Sequence, residues 1–461
     1  MTTVTLFRPL LAAAKPTRLP LAAVLLGLTL LLVAPIQARA VEVQRVVSPG
    51  GIEAWLVEDR SNPIISVEFL FKGAGGVTDP KDKEGLAYLV STLLNEGAGP
   101  YDSQTFQGQL NDQSIGLGYS SGRDSFGGSL STLSRYQDKA FELLRLSLLE
   151  PRFDAEAVAR MRREIIVGLA HEENNPNSIA GRNLRRLLYG DHPYGRPSKG
   201  TAESLTGLSL EDLQGFVRSH LTRERLFIGV SGDIDADSLG KRLDQVFGGL
   251  PAKGDLPEIA PAQVATQGGT LVIAREQPQS IVVMAQPGLM RDDPDYYTAS
   301  IANYVLGGST FSSWLYEEVR EKRGLAYGVA SYLAPSDYAA LVMGRVATQN
   351  ARVKESIALI KQQWARMAEE GPTAEELADA KTYLTGNFAL NLSSTGKIAD
   401  ILVAMQAQNL GIDYIDRRSG FFEKVTLAQV KKVARELFNP EELTMVVVGQ
   451  PEGLTSTLPV P

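Results

Sequence analysis

The sequence predicts an α+β fold that consists of two related domains. The main indication is an internal repeat, because residues 208–234 and 425–451 align without a gap. Each copy is predicted to begin as a helix capped by Ser209 or Thr426 and to continue through a turn into an apolar strand that ends at a glycine. Many proteins contain a helix–turn–strand unit, but the constant register along the whole repeat favours a duplication.

The two halves also begin alike. Residues 50–75 and 268–288 each alternate apolar and polar side chains, as expected for a pair of strands followed by helical runs. Residues 251–267 are rich in Pro and Ala and show no hydrophobic period, which is typical of a linker. We therefore predict one domain over residues 41–250 and a second over residues 268–461.

Residues 1–40 have the composition of a secretory signal peptide. Basic residues precede the uncharged run 21–34, and Ala38-Arg39-Ala40 fits the small-x-small site of signal peptidase. A membrane anchor is the alternative, but these 14 residues fall short of the roughly 20 that span a bilayer. A mitochondrial presequence is expected to be amphipathic rather than continuously apolar. We expect export to the periplasm, with no stable membrane anchor after cleavage.

Composition argues against two other classes of protein. The chain contains no cysteine, which excludes disulfides and thiolate catalysis, so its stability must come from a packed core. Its formal net charge is −7 and no basic block offsets that charge. Nucleic acid is therefore not expected as a partner.

Residues 84–99 predict a helix with an unusual polar face. Its leucines recur at the spacing of an apolar helix face, and at about 100° per residue Tyr88, Ser91, Thr92 and Asn95 fall together on the opposite face. A tyrosine hydroxyl is a poor metal ligand near neutral pH because its pKa is about 10, and a serine is not a general base unaided. The polar face is therefore predicted to be chemically quiet.

Together, these features resemble the peptidase family of pitrilysin, insulysin and the mitochondrial processing peptidase, over nearly the whole chain after residue 40. The resemblance implies two homologous α/β sandwich domains that form one half of a clam-shaped molecule around a peptide. Active members carry a zinc motif, H-x-x-E-H, on the first long helix, and the matching positions here are Tyr88, Ser91 and Thr92. The family's glutamate ligand falls at Leu169. Because catalytic zinc needs three protein ligands, the resemblance implies a degenerate site without metal.

The three histidines of the chain are not expected to rebuild a zinc site. His192 lies in a segment that resembles a family segment in which the histidine is not a ligand. His171 is expected to face solvent. His220 ends a predicted helix, where we expect it to be a cation that interacts with the helix dipole.

Residues 307–333 are the most specific match to the family. Ser309 or Thr310 is predicted to cap a helix that runs to about Lys322, and Gly324 is predicted to end it before a strand.

The resemblance places two functional residues in this segment, Arg320 and Tyr327. In active relatives this pair reaches across the closed chamber: the arginine offers a fork of donors to peptide carbonyls, and the tyrosine hydroxyl donates to the oxyanion. The alternatives are a solvated helix charge for Arg320 and a half-buried strand aromatic for Tyr327.

A weaker candidate for substrate binding is the segment Ile115, Gly116, Leu117 and Gly118. Members of the family bind peptides by adding them to a sheet edge in this region, and glycines permit a close backbone approach. The same glycines are also compatible with bulges or turns.

The resemblance as a whole implies the non-zinc subunit of a heterodimeric periplasmic zinc metallopeptidase. Such a subunit is expected to hold no cofactor, to be inactive alone, and to bind peptide substrates together with a homologous subunit. That partner is expected to carry the intact H-x-x-E-H motif and the zinc. The alternative is a non-catalytic scaffold or peptide-binding protein of the same fold.

Overall fold

The computed structural model describes residues 42–308 and 311–461. The expected signal peptide and the two candidate caps, Ser309 and Thr310, lie outside the described residues. Within the described ranges, no helix has both the length and the apolar character that crossing a membrane requires.

Two mixed β-sheets organise the described part of the chain. The strands are β1 (Gln44–Val47), β2 (Glu53–Glu58), β3 (Ile64–Lys72), β4 (Gly116–Ser121), β5 (Ser125–Leu133), β6 (Leu226–Gly232), β7 (Gly269–Ala274), β8 (Gln279–Pro287), β9 (Ala326–Pro335), β10 (Ala340–Gln349) and β11 (Thr444–Gly449). The first sheet has the order β1-β2-β6-β3-β5-β4 and the second the order β7-β11-β8-β10-β9.

Helices cover both sheets. They are α1 (Leu86–Ser91), α2 (Ser103–Asp112), α3 (Gln137–Leu149), α4 (Ala155–Asn174), α5 (Pro176–Tyr189), α6 (Ala202–Gly207), α7 (Leu210–His220), α8 (Ala236–Phe247), α9 (Tyr296–Gly307), α10 (Val353–Glu369), α11 (Ala374–Gly386), α12 (Thr395–Ala407), α13 (Tyr414–Glu423) and α14 (Leu427–Leu437). A π-helix spans Tyr316–Glu321.

The repeat strand of each half lies inside its sheet. β6 pairs parallel to β2 and antiparallel to β3, and β11 pairs in the same way with β7 and β8. The prediction of strands within residues 50–75 and 268–288 is confirmed, but the expectation that each forms an adjacent pair is wrong. The repeat strand separates the two because its nearly continuous apolar sequence fits a position covered on both faces.

The predicted duplication is visible in local detail. Ser209 and Thr426 cap α7 and α14 through equivalent capping boxes. Gly232 and Gly449 end the strands that follow, with φ of 133° and 153°. A side chain at Gly232 would collide with the carbonyl oxygen of Ile64, so the bend after β6 requires glycine. These matches confirm an α+β fold of two homologous halves.

Each half has its own core on one face of its sheet. In the first half, Phe69 contacts Phe247 edge to face at 5.5 Å between ring centroids. In the second half, the fully buried indole of Trp364 donates a hydrogen bond of 2.7 Å to Oε1 of Gln286 and packs against Phe438. Both cores are dominated by aliphatic and aromatic side chains, which stabilise the fold by burial.

The opposite face of each sheet is covered by a helix from the other half. α5 of the first half packs on β8 and β11, and α12 of the second half packs on β2, β3 and β6. The first interface is apolar; its core consists of Ile179, Ala180, Leu184, Leu188, Leu271, Ala285, Leu341, Val446 and Val448.

The second interface brings backbone very close to backbone. A methyl group at Gly229 of β6 would collide with the carbonyl oxygen of Ala399 in α12. Nε2 of Gln406 donates to the carbonyl of Ile228 at 2.8 Å. The exchange of these helices ties the halves together, and Glu42–Pro461 forms one compact unit.

Residues 251–268 contain no regular secondary structure, as predicted for the linker. The linker is nevertheless attached to both halves, because the amide of Ala262 donates to the carbonyl of Tyr338 at 2.8 Å and the amide of Ala265 donates to that of Leu188 at 2.9 Å. The exact domain boundaries stay a prediction.

Gly229→Ala tests the contact between the halves. We expect a destabilisation of about 1–3 kcal/mol, because the added methyl group pushes α12 away from the sheet. Gly215→Ala is the matched control: its Cβ would meet open space, and alanine in a helix should stabilise by about 0.4–1 kcal/mol. Urea unfolding followed by circular dichroism measures both shifts. An unchanged urea midpoint for Gly229→Ala would contradict this prediction, because it would show that α12 can move away from β6 without loss of stability.

Candidate functional site

Helix α1 carries the positions that resemble a metal site, and it is shorter than the predicted span of 84–99. It ends at Ser91 because the hydroxyl of Ser91 donates to the carbonyl of Tyr88 at 2.7 Å and that of Thr92 donates to the carbonyl of Leu89 at 2.8 Å. Such bonds compete with the helical ladder. The predicted apolar face is confirmed, since its leucines and Val90 are all buried.

The start of α1 is held by a residue that the sequence analysis missed. The carboxylate of Asp79 accepts hydrogen bonds from the amides of Gly85 at 3.0 Å and Ala87 at 3.1 Å. Burial raises the pKa of Asp79 to about 7, although these amide bonds oppose the shift. Asp79 is too far from α1 in the sequence to give a capping signature, so no local pattern could have identified it.

The positions matched to the metal ligands line a small cavity between α1 and α4. Tyr88, Thr92 and Leu169 lie together around about 210 Å³, whereas Ser91 is buried away from it. Nζ of Lys199 lies 5.4 Å from the ring centroid of Tyr88 and 2.5 Å from Oε1 of Glu172. An ammonium–carboxylate pair thus lies beside Tyr88 and beside Thr92, whose hydroxyl is already bonded to its own helix.

This donor set does not fit a catalytic zinc ion. Zinc binds histidine, cysteine and carboxylate side chains, and the cavity offers only Glu164 and Glu172 of these types, the latter paired with Lys199. Across residues 42–308 and 311–461, no group of three histidine or acidic side chains could hold a metal ion.

The three histidines lie apart from this cavity. His171 is exposed, as expected. Nδ1 of His192 accepts from the amide of Tyr194 at 3.1 Å, which orders a loop. His220 is buried and stacks on Phe216 at 4.0 Å, and burial lowers its pKa to about 4. The expectation of a cationic helix cap is therefore wrong, because His220 is neutral near pH 7.

The segment before β9 has an irregular backbone that the sequence did not predict. In the π-helix, the amide of Lys322 donates to the carbonyl of Glu317, five residues earlier, at 2.9 Å. Gly324 ends the turn with φ of 57°, as predicted. π-helical turns occur frequently at functional sites.

Arg320 and Tyr327 are brought together by this turn. The guanidinium carbon of Arg320 lies 4.6 Å from the ring centroid of Tyr327 and 4.7 Å from that of Tyr316. These distances are those of cation–π contacts, which attract the guanidinium group to both rings. Tyr327 is 85% exposed, so the half-buried alternative is wrong. Arg320 is held between two rings, with Glu321 3.8 Å away.

These residues border an open cavity of about 590 Å³. Its other lining residues include Phe311, which is 80% exposed, and Arg345 of β10. Asn177, at the start of α5, reaches this cavity from the first half. Sequence reasoning missed Tyr316 and Phe311, because single aromatic residues carry no positional signal.

The weaker candidate, Ile115 to Gly118, lies at and just before the start of β4, the free edge of the first sheet. Gly116 is exposed, whereas the side chains of Ile115 and Leu117 are buried. Asn95, in the turns after α1, donates to the carbonyl of Leu117 at 3.2 Å. The edge strand is therefore fixed to the segment that carries the degenerate positions.

A third cavity, of about 370 Å³, joins the two sites. It shares Leu169, Glu172 and Lys199 with the cavity beside α1, and it shares Asn177 with the cavity beside Arg320. The cavity of the degenerate positions and that of the Arg320–Tyr327 pair are thus both neighbours of this third cavity.

Solved structures share this architecture. A structure described as the peptidase M16 inactive domain from Pseudomonas fluorescens is 29% identical, with a TM-score of 0.83, and the match covers 91% of this chain and all of that one. A protease from Helicobacter pylori has a TM-score of 0.79 over 89% of this chain and 100% of its own, and at 18% identity it shows the fold alone.

Sequence comparisons agree with the structural ones. YmxG of Helicobacter pylori, named a non-peptidase homologue, is 25% identical over 85% of this chain and 90% of its own length. YmxG of Bacillus subtilis, named an uncharacterised zinc protease, is 26% identical over 67% of this chain and 75% of its own. Family models for insulinase (peptidase family M16) and for the peptidase M16 inactive domain match residues 56–202 and 207–384. The chain belongs to peptidase family M16.

Proposed function

We propose that this chain is the non-zinc subunit of a heterodimeric zinc metallopeptidase of the periplasm. It lacks peptidase activity of its own, closes the peptide chamber and assists hydrolysis at zinc held by a homologous subunit with an intact H-x-x-E-H motif. The observation that carries the proposal is the contact between Arg320 and the exposed ring of Tyr327, both of which line an open cavity.

The lack of independent activity is supported by the chemistry beside α1. The hydroxyls of Ser91 and Thr92 donate to backbone carbonyls of their own helix, and Lys199 places a positive charge against Tyr88. Lys199 also holds Glu172 in an ion pair, which engages one of the two carboxylates that the cavity could offer to a metal ion. The relative from Helicobacter pylori is likewise named a non-peptidase homologue.

The retained pair supports an auxiliary role in hydrolysis. Arg320 is held in place by Tyr316 and Tyr327. Its guanidinium group would therefore lose little conformational entropy on binding a peptide carbonyl. The exposed hydroxyl of Tyr327 is available to donate to an oxyanion. The zinc in the partner would supply the activated water.

Peptide binding is supported by the free edge at β4. A peptide added there as a strand would pair with the backbone around Tyr119, beyond Leu117, whose carbonyl already accepts from Asn95. The exposed backbone at Gly116 leaves room for a close approach.

Tyr327→Phe in the reconstituted heterodimer tests the role of the hydroxyl. With the zinc-bearing partner present, turnover should fall by about 100-fold or more, because one donor to the oxyanion is lost while the ring on Arg320 is kept. Arg320→Ala should weaken substrate binding as well. Peptide hydrolysis measures both, and gel filtration checks assembly.

Tyr332→Phe is the matched control, because Tyr332 lies on the same strand and is partly exposed but does not line the cavity. It should hydrolyse at the wild-type rate. If Tyr327→Phe and Arg320→Ala assemble and also hydrolyse at that rate, the pair is structural and the chain is a scaffold or peptide-binding protein.

Metal analysis tests the assignment of zinc to the partner. The chain purified alone without added metal should contain no stoichiometric zinc, because its cavity offers too few ligands. Elemental analysis provides the measurement. One tightly held zinc per chain, lost together with peptidase activity on chelation, would contradict the proposal.

N-terminal sequencing of the protein from its native host tests export. The mature chain should begin near Val41, because the basic and apolar segments and Ala38-Arg39-Ala40 together specify cleavage. A cytoplasmic protein that retains its first residues would refute periplasmic localisation.

A further inference from the structure

The cavity that joins the two sites is lined by arginines that have no assigned role. Arg182 and Arg185, three residues apart on α5, both border it, together with Lys199. Side chains at this spacing lie on one helix face. Arg123, in the turn between β4 and β5, lies close enough to influence Arg185 electrostatically.

Little negative charge balances this group. Within the described ranges, Glu172 is the one acidic residue that lines the cavity, and it pairs with Lys199 at 2.5 Å. Arg123, Arg182 and Arg185 form no ion pair with any described carboxylate, and Nε of Arg123 is buried without a hydrogen-bond partner among those residues. Of these three arginines, Arg182 and Arg185 line the cavity, so their guanidinium groups are the donors that a ligand there could reach.

The neighbouring carboxylate of Asp124 is already engaged. Its Oδ1 accepts from the hydroxyl of Tyr194 at 2.5 Å, and its Oδ2 accepts from the amide of Asp337 at 3.2 Å. Asp124 thus orders the loop and forms no ion pair with the described arginines, although its charge partly offsets the lowering of the pKa of Arg123 by burial.

The arginines are held together at an electrostatic cost. Burial, with Arg123 and Arg182 nearby, lowers the pKa of Arg185 to about 10, so the group still carries its charge at neutral pH. A bound anion would relieve this repulsion, and a carboxylate matches the planar fork of a guanidinium.

The backbone amides at the start of α5 are not free to bind an anion. The amides of Asn177 and Ser178 already donate to Oδ1 of Asn175, at 2.9 and 3.3 Å. Binding at this cavity would therefore depend on the arginine side chains.

We propose that this cavity binds an acidic side chain of the peptide substrate, with Arg182 and Arg185 as its ligands. The cavity shares lining residues with the cavity of the degenerate positions and with that of the Arg320–Tyr327 pair, so a peptide that contacts both would pass close to it. The inference rests on the proposed function in assuming a peptide ligand, but it concerns selection of the peptide rather than its hydrolysis.

The test compares two fluorescein-labelled peptides that differ only in one central Glu or Gln, bound to the full chain without any partner. Fluorescence polarisation at low ionic strength should show the Glu peptide binding about 10-fold more tightly, as expected for a charge-assisted contact. Arg182→Gln and the double variant Arg182→Gln with Arg185→Gln should abolish this preference. Arg186→Gln, on the same helix but exposed and outside the cavity, should keep it.

Equal affinity for the two peptides, no binding of either, or a preference that survives in folded Arg182→Gln would overturn the inference. Thermal unfolding with inorganic phosphate as the sole added ligand distinguishes a free ion from an acidic side chain of a peptide. Stabilisation by phosphate without any peptide preference would assign the cavity to a free ion and overturn the peptide assignment. Because no partner or hydrolysis is involved, these outcomes are separate from those of the Tyr327→Phe experiment.

Discussion

The exchange of helices between the halves is the constraint on which the rest of the structure depends. Each sheet is covered on one face by its own helices and on the other by a helix of the other half. Neither half can bury both faces of its sheet alone, so the apolar contact fixes how the halves are oriented. Because α5 directly follows α4, which lines the degenerate cavity, this packing also places Asn177, at the start of α5, beside the cavity of Arg320.

Cationic side chains line several of these cavities although the protein as a whole is acidic. The chain has a net charge of −7, yet Lys199, Arg182, Arg185 and Arg320 line consecutive cavities. Beside the positions that match the metal ligands of the family, this chain has an ammonium group paired with Glu172. An ammonium or guanidinium group attracts carbonyls and carboxylates but does not activate water as zinc does.

Local signals in the sequence predicted much of the fold and part of the site. The caps at Ser209 and Thr426 and the strands all follow from patterns that span few residues. The strand order and the helix exchange could not be predicted in this way, because both depend on contacts between distant segments. The contact of Lys199 with Tyr88 could not be predicted either, because it forms only when the loop of Lys199 lies against Tyr88 in the folded protein.

The hydrophobic core depends neither on the side chains at the degenerate metal positions nor on the exposed ring of Tyr327. The apolar face of α1 is buried whatever its polar face carries, so the metal ligands of the family can be replaced at Tyr88 and Thr92 without loss of the core. Tyr327 is likewise dispensable for the core, because an exposed aromatic ring contributes little to stability by burial. Folding thus explains neither the exposed ring nor its contact with Arg320. The peptide contact proposed for the pair would give both residues a reason to occupy these positions.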